Sequence, residues 1–136
     1  HYIDRSKMDA RAGLMAAYDA DIFLSSANAI TSDGVMVNID GNSNRVSCIA
    51  QGPRKVIFIV GMNKVCADLD SAMKRARNVA APINAQRFDI KTPCKEIGKC
   101  FDCKSPDTIC CQFLITRYSR HTDRIHVILV NDTIGY

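Results

Sequence analysis

Residues Val56-Ile57-Phe58-Ile59-Val60 form an unbroken apolar, mostly β-branched run that Gly61 closes. A strand with no polar alternation suits the middle of a parallel sheet with both faces covered. Parallel neighbours need crossover connections, so the run alone favours an α/β fold over an all-helical or sandwich one.

The flanking sequence supplies the other layers. Residues 6–18 carry apolar positions at helical spacing, with Ser6 and Asp9 as a capping pair. Ile22-Phe23-Leu24 reads as a short buried strand, Thr31-Ser32-Asp33-Gly34 as a tight hairpin turn, and Val35 to Ile39 as the strand that follows it. A helix is expected over 45–51, stopped by Gly52-Pro53. Another is expected over 65–80, where Val65, Leu69, Ala72, Met73, Ala76 and Val79 make one stripe; Pro82 ends it and a short helix runs to Phe88. Strands near 110–118 and 125–131 close the order. The expected fold class is α/β: an open, mostly parallel sheet with flanking helices and a carboxy-terminal β-hairpin, as one domain over residues 1–136.

The 136 residues carry 47% hydrophobic and 24% charged side chains, which supports a folded core rather than disorder. The net charge of +4 is scattered, without the clustered basic face that nucleic-acid binding needs. No apolar run reaches the ~20 residues of a membrane span. The start, His1-Tyr2-Ile3-Asp4-Arg5, lacks the pattern of a secretory signal.

Five of the seven cysteines fall between Cys94 and Cys111. The order Cys94-x5-Cys100-x2-Cys103-x6-Cys110 can bring four thiolates to one site, because a CxxC pair reaches a single ion from a tight turn. Thiolates hold zinc and iron–sulfur clusters alike, and the spacing matches neither the common ferredoxin run nor a paired zinc ribbon. Cys94, Cys100, Cys103 and Cys110 are the expected metal ligands, for an iron–sulfur cluster or, alternatively, zinc. A redox dithiol or inert buried thiols are the other readings. Lys91, Lys95, Lys99 and Lys104 surround the segment with charge that would lower thiol pKa values. Cys48 and Cys66 are read as core residues on helix faces.

A second candidate site is polar. Asn38, Asp40, Gly41, Asn42, Asn44 and Arg45 lie between a strand and a helix start, and Ser26 and Asn28 follow the preceding strand. Free amides at such a turn, with an arginine fork, suit a small anionic ligand. The same residues also serve a self-bonded turn that caps a helix. The three histidines, His1, His121 and His126, have no partner motif of a catalytic triad.

Three groups of stretches in one order resemble the LUD (lactate-utilization) family, also described as YkgG-like or LutC-like. They are Ser25 to Thr31 with Asp33-Gly34 and Val37 to Arg45; Gly52-Pro53 with Val60-Gly61-Met62-Asn63-Lys64 and Arg77 to Pro82; and Lys91-Thr92-Pro93-Cys94 with Gly98 to Cys103, Ile109-Cys110 and Arg124 to Val130. The resemblance implies a fold similar to the NagB/RpiA/CoA-transferase-like group, a bacterial or archaeal cytoplasmic protein, and a link to lactate oxidation in which partner subunits carry iron–sulfur clusters. It also implies that a further amino-terminal α/β segment normally precedes this point; without it, part of the sheet is exposed, and the chain is expected either to pair with another copy as a homo-oligomer or to be a fragment of a longer protein. The expected function is a redox accessory protein with a redox partner subunit. The alternatives are a CoA-transferase or isomerase-like enzyme with a structural zinc or disulfide loop, and a non-catalytic assembly subunit.

Overall fold

Asp9 starts the first helix, α1 (Ala10–Tyr18), by accepting hydrogen bonds from the amides of Arg11 and Ala12 at 2.8 and 3.0 Å. The helix therefore begins later than its periodicity suggested. Ser6 is engaged elsewhere, donating its amide and hydroxyl to Asp4 from within a short 3₁₀ turn. The structure, a computed structural model, describes residues 2–136; His1 lies outside them.

The remaining elements follow in order: β1 (Ile22–Ser25), β2 (Ala29–Thr31), β3 (Met36–Asp40), α2 (Asn44–Ala50), β4 (Lys55–Gly61), β5 (Val65–Cys66), α3 (Leu69–Arg75), α4 (Ala81–Ala85), α5 (Pro93–Ile97), β6 (Gln112–Thr116) and β7 (Ile125–Val130). They form an α/β architecture of two sheets rather than one. The first is parallel throughout, in the order β1-β4-β7, with Val56 opposite both Phe23 and Ile125. The second is mixed, in the order β5-β2-β3-β6. Its hairpin β2–β3 turns at Thr31–Gly34, where Gly34 takes φ 92° and Thr31 Oγ1 accepts from the Val35 amide at 2.8 Å.

Both carboxy-terminal strands are present, but they do not pair with each other as a hairpin. β6 runs antiparallel to β3, and β7 runs parallel to β4. Arg124 anchors the start of β7 by donating to the carbonyls of Cys48, Ile49, Gln51 and Pro53 at 2.8–3.2 Å, which satisfies the open carboxyl end of α2.

The main core lies between the sheets, where Val56, Phe58 and Val60 meet Ile30, Met36 and Ile49. A second core joins Val37 and Ile39 of β3 to Ala72 of α3 and to Ala76 just after it. The apolar run is thus the central strand, but only one of its faces is fully covered. Ile59 is exposed, as are Leu24 of β1 and Ile128 of β7 on the same outer face. Ile22-Phe23-Leu24 is correspondingly a half-exposed edge strand, not a buried one.

Pro82 does not end its helix. The rod continues from Leu69 to Ala85 through a wide π turn at Ala76–Ala80, in which the Ala81 amide reaches back to the Ala76 carbonyl. The widened turn makes room for a ring that would otherwise crowd the preceding carbonyl. Val65 belongs to β5 rather than to the rod, and so does Cys66; Cys48 is buried in α2 as expected.

Candidate functional site

Pro93 sits at the first helical position of α5, and Gly98 ends that helix in the left-handed region at φ 75°. This short element buries Cys94 and turns the chain so that the following loop folds back over the rod. Cys94, Cys100, Cys103 and Cys110 all line one cavity of about 40 Å³, together with Arg77, Thr92, Asp102 and Phe113. That is more room than the ~10–15 Å³ a single water needs. The four cysteines expected as ligands are therefore brought together. Cys111 does not line the cavity: it is exposed, and its thiol faces the Thr108 carbonyl at 3.6 Å. Among the described residues, no group of three or more His, Cys, Asp or Glu side chains is set to hold a metal ion as it stands.

Several donors point at the sulfurs. Arg77, from the π turn, donates to Cys100 Sγ at 3.6 Å and pairs with Asp102 at 2.7 Å. The Asp102 amide also reaches Cys100 Sγ at 3.4 Å, from a backbone at φ 53°. Ser105 Oγ lies 3.9 Å from Cys103 Sγ, and Thr92 Oγ1 lies 3.4 Å from Cys94 Sγ. Arg77 was legible in the sequence only as the wet side of a helix. The lysines do not dominate: Lys91, Lys99 and Lys104 are exposed, and Lys95 Nζ donates to the Phe88 carbonyl. The expected drop in thiol pKa fails at Cys110. Burial pushes that thiol up to about 11, and repulsion from Cys100, Cys94, Cys103 and Cys111 adds to the rise.

The polar loop forms a closed network. Asp40 Oδ2 accepts from the amides of Arg45 and Val46 at 2.8 Å each, so the amino end of α2 is capped by an internal carboxylate. Arg45 pairs with Asp40 at 3.1 Å and donates to Asn28 Oδ1, to the Ile39 carbonyl and, at 3.5 Å, to the Ser26 carbonyl. Asn28 Oδ1 also accepts from the Ile39 amide at 2.8 Å. Ser26, Asn28, Asp40 and Arg45 are thus drawn together. Asn44 opens α2, and Asn42 points to solvent. Gly41 packs against the Ile109 backbone, where a Cβ would lie 3.1 Å from the Ile109 Cα, and the Cys111 amide donates to the Asp40 carbonyl. The polar loop and the cysteine segment therefore touch. Asn38 is fully buried on β3, and both ends of its side-chain amide lack a partner.

Of the histidines, His121 is exposed in a turn, and His126 Nε2 sits 3.2 Å from Asp123 on the outer face of β7. No helix among the described residues is long and apolar enough to cross a membrane.

A family model described as LUD domain matches residues 4–130, nearly the whole chain. No curated protein and no solved structure matches it.

Proposed function

The chain belongs to the LUD domain family, which associates it with lactate utilization, and on that premise we propose that it is a redox accessory protein whose thiol pocket holds a metal centre. The carrying observation is the convergence of Cys94, Cys100, Cys103 and Cys110 on one cavity edged by sulfur-directed donors. A four-thiolate donor set fits an iron–sulfur cluster or zinc. When bound, an iron–sulfur group supplies electron transfer to a partner subunit.

The chain's own residues then have defined tasks. Arg77 and the Asp102 amide stabilise charge on Cys100. Phe113 and Ala81 supply apolar wall. Cys110 must release a proton on loading, so binding tightens as pH rises. To hold one metal centre the four thiols would have to come closer together, and the loop from Gly98 to Ile109, which carries no regular element, would let them.

The reading includes a small anion held near Ser26, Asn28, Asn38, Asp40, Gly41, Asn42, Asn44 and Arg45, and a homo-oligomer formed through the apolar outer face of the parallel sheet. Metal and sulfide analysis with an absorption spectrum, on anaerobically purified protein, tests the central claim. Iron with acid-labile sulfide and a broad visible band is the expected result. Zinc or no metal rules out electron transfer through the pocket.

A further inference from the structure

Lys64 ends a 3₁₀ turn just past the carboxyl end of β4 and is only 4% exposed. Its ammonium donates to Ser26 Oγ at 3.1 Å, and no carboxylate is ion-paired with it among the described residues. Two more cations stand by. Arg75 donates to the backbone carbonyls of Asn63 at 2.9 Å and Asn28 at 2.5 Å, and among the described residues no carboxylate is ion-paired with it. Arg45 shares the Ser26–Asn28 turn and holds the group's one carboxylate, Asp40. Among the described residues, a buried lysine and two part-buried arginines are therefore grouped with one buried carboxylate. Burial first, and then the charges of Arg75 and Arg45, hold the Lys64 ammonium below its ordinary range.

A second, independent observation concerns the strand that carries Asp40. Asn38 has no partner for either end of its buried amide, and it shares a face of β3 with Asp40, two residues on. Unpaired buried amides and unbalanced buried cations both cost stability unless something completes them. The position is also where parallel sheets bind ligands, at the carboxyl ends of β1 and β4.

We propose that Lys64, Arg75 and Arg45, with Ser26 and the Asn38 amide, form a buried site for a small oxyanion, a carboxylate or a phosphate. The site deepens the anion-binding part of the function proposed above and is independent of any metal in the thiol pocket. Its anchor moves from the start of α2, whose amides Asp40 already occupies, to the lysine at the end of β4. The carboxy-terminal segment covers Nζ: Gly135 packs against it, so that a Cβ there would lie 3.3 Å from Nζ. Entry requires this segment to lift.

The test is calorimetric titration of the full chain with oxalate and, separately, inorganic phosphate, at fixed ionic strength. It compares the wild type, Lys64→Met, Arg45→Met and the exposed control Lys74→Met, with the melting temperature of each recorded. Saturable binding of either anion, at least tenfold weaker in Lys64→Met and unchanged in Lys74→Met, is expected; the preferred anion identifies the ligand class. Should Lys64→Met prove unfolded, the wild type alone decides, by a rise in melting temperature with the oxyanion over chloride. Binding lost in Arg45→Met but kept in a folded Lys64→Met would overturn the lysine site and leave the loop reading standing. No binding of either anion and no rise in melting temperature would overturn both.

Discussion

Arg77 Nη2 lies 3.6 Å from Cys100 Sγ and pairs with Asp102 in the same fork, so a helix cation is committed to a thiol loop twenty-three residues away. Outer-shell donors of this kind tune metal affinity by ~10–100-fold. Arg77→Met should weaken metal binding by that order, read by competition with a chromophoric chelator. Equal affinity in the two proteins would remove Arg77 from the site.

Cys110 should be a slow thiol in metal-free protein. With its pKa pushed up to about 11, its thiolate fraction at pH 8 is far below that of an ordinary cysteine, whereas Cys111 is exposed. Iodoacetamide labelling resolved by peptide mass spectrometry should modify the exposed Cys111 at least about tenfold faster than the half-buried Cys110. The same shift has a sign for stability. The folded pKa lies above the unfolded value of 9.0, so the thiol is neutral in both states well below pH 9. Between about 9 and 11 only the unfolded form ionises, and stability falls as pH rises through that window. Urea midpoints at pH 8 and pH 10.5 compare wild type with Cys110→Ser, which should lose less.

Arg124→Ala should cost ~2–4 kcal/mol, because several charge-assisted hydrogen bonds to the end of α2 vanish together and their carbonyls lose a partner. Urea denaturation with an unchanged m-value is the check. A loss below ~0.5 kcal/mol would mean that water replaces the guanidinium at no penalty.

Gly61→Ala should dislodge the carboxy-terminal segment. A Cβ at position 61 would lie 2.6 Å from the Ile134 amide and 2.7 Å from the Asp132 carbonyl, too close for backbone atoms to coexist. Hydrogen exchange over residues 131–136 should accelerate while that of β4 holds. Unchanged exchange in that segment would refute the contact.

The outer face of the parallel sheet, with Leu24, Ile59 and Ile128 exposed, should bury itself in self-association. Ile128→Lys should shift sedimentation toward a smaller species. The same sedimentation coefficient for wild type and variant would exclude that face.

Much of this was visible in the residue order. The run at 56–60 is the central strand and the Asp-Gly turn closes the β2–β3 hairpin, as their local chemistry suggests, although the run is covered on one face rather than two. Sequence also placed Ser26, Asn28, Asp40 and Arg45 in one neighbourhood. What it hid depends on distant partners. Periodicity shows which side of the rod faces the core, but not that the loop after Gly98 returns to Arg77. Pro82 reads as a helix stop unless the π turn before it is known. Lys64 follows a strand and looks like any surface lysine until Arg75, Gly135 and Ser26 close around it. The separation of β6 from β7 rests on register with β3 and β4, which no local pattern records.

The pairing of Val56 with Ile125 also governs how the molecule folds. Closing so long a segment spends entropy before any contact repays it, which makes topologies of this kind slow to fold. Until β7 arrives, β4 keeps a bare hydrogen-bonding edge beside Phe58 and Val60, a template for mispairing between molecules. Encounters between half-formed molecules should therefore limit refolding yield, which is expected to rise on dilution.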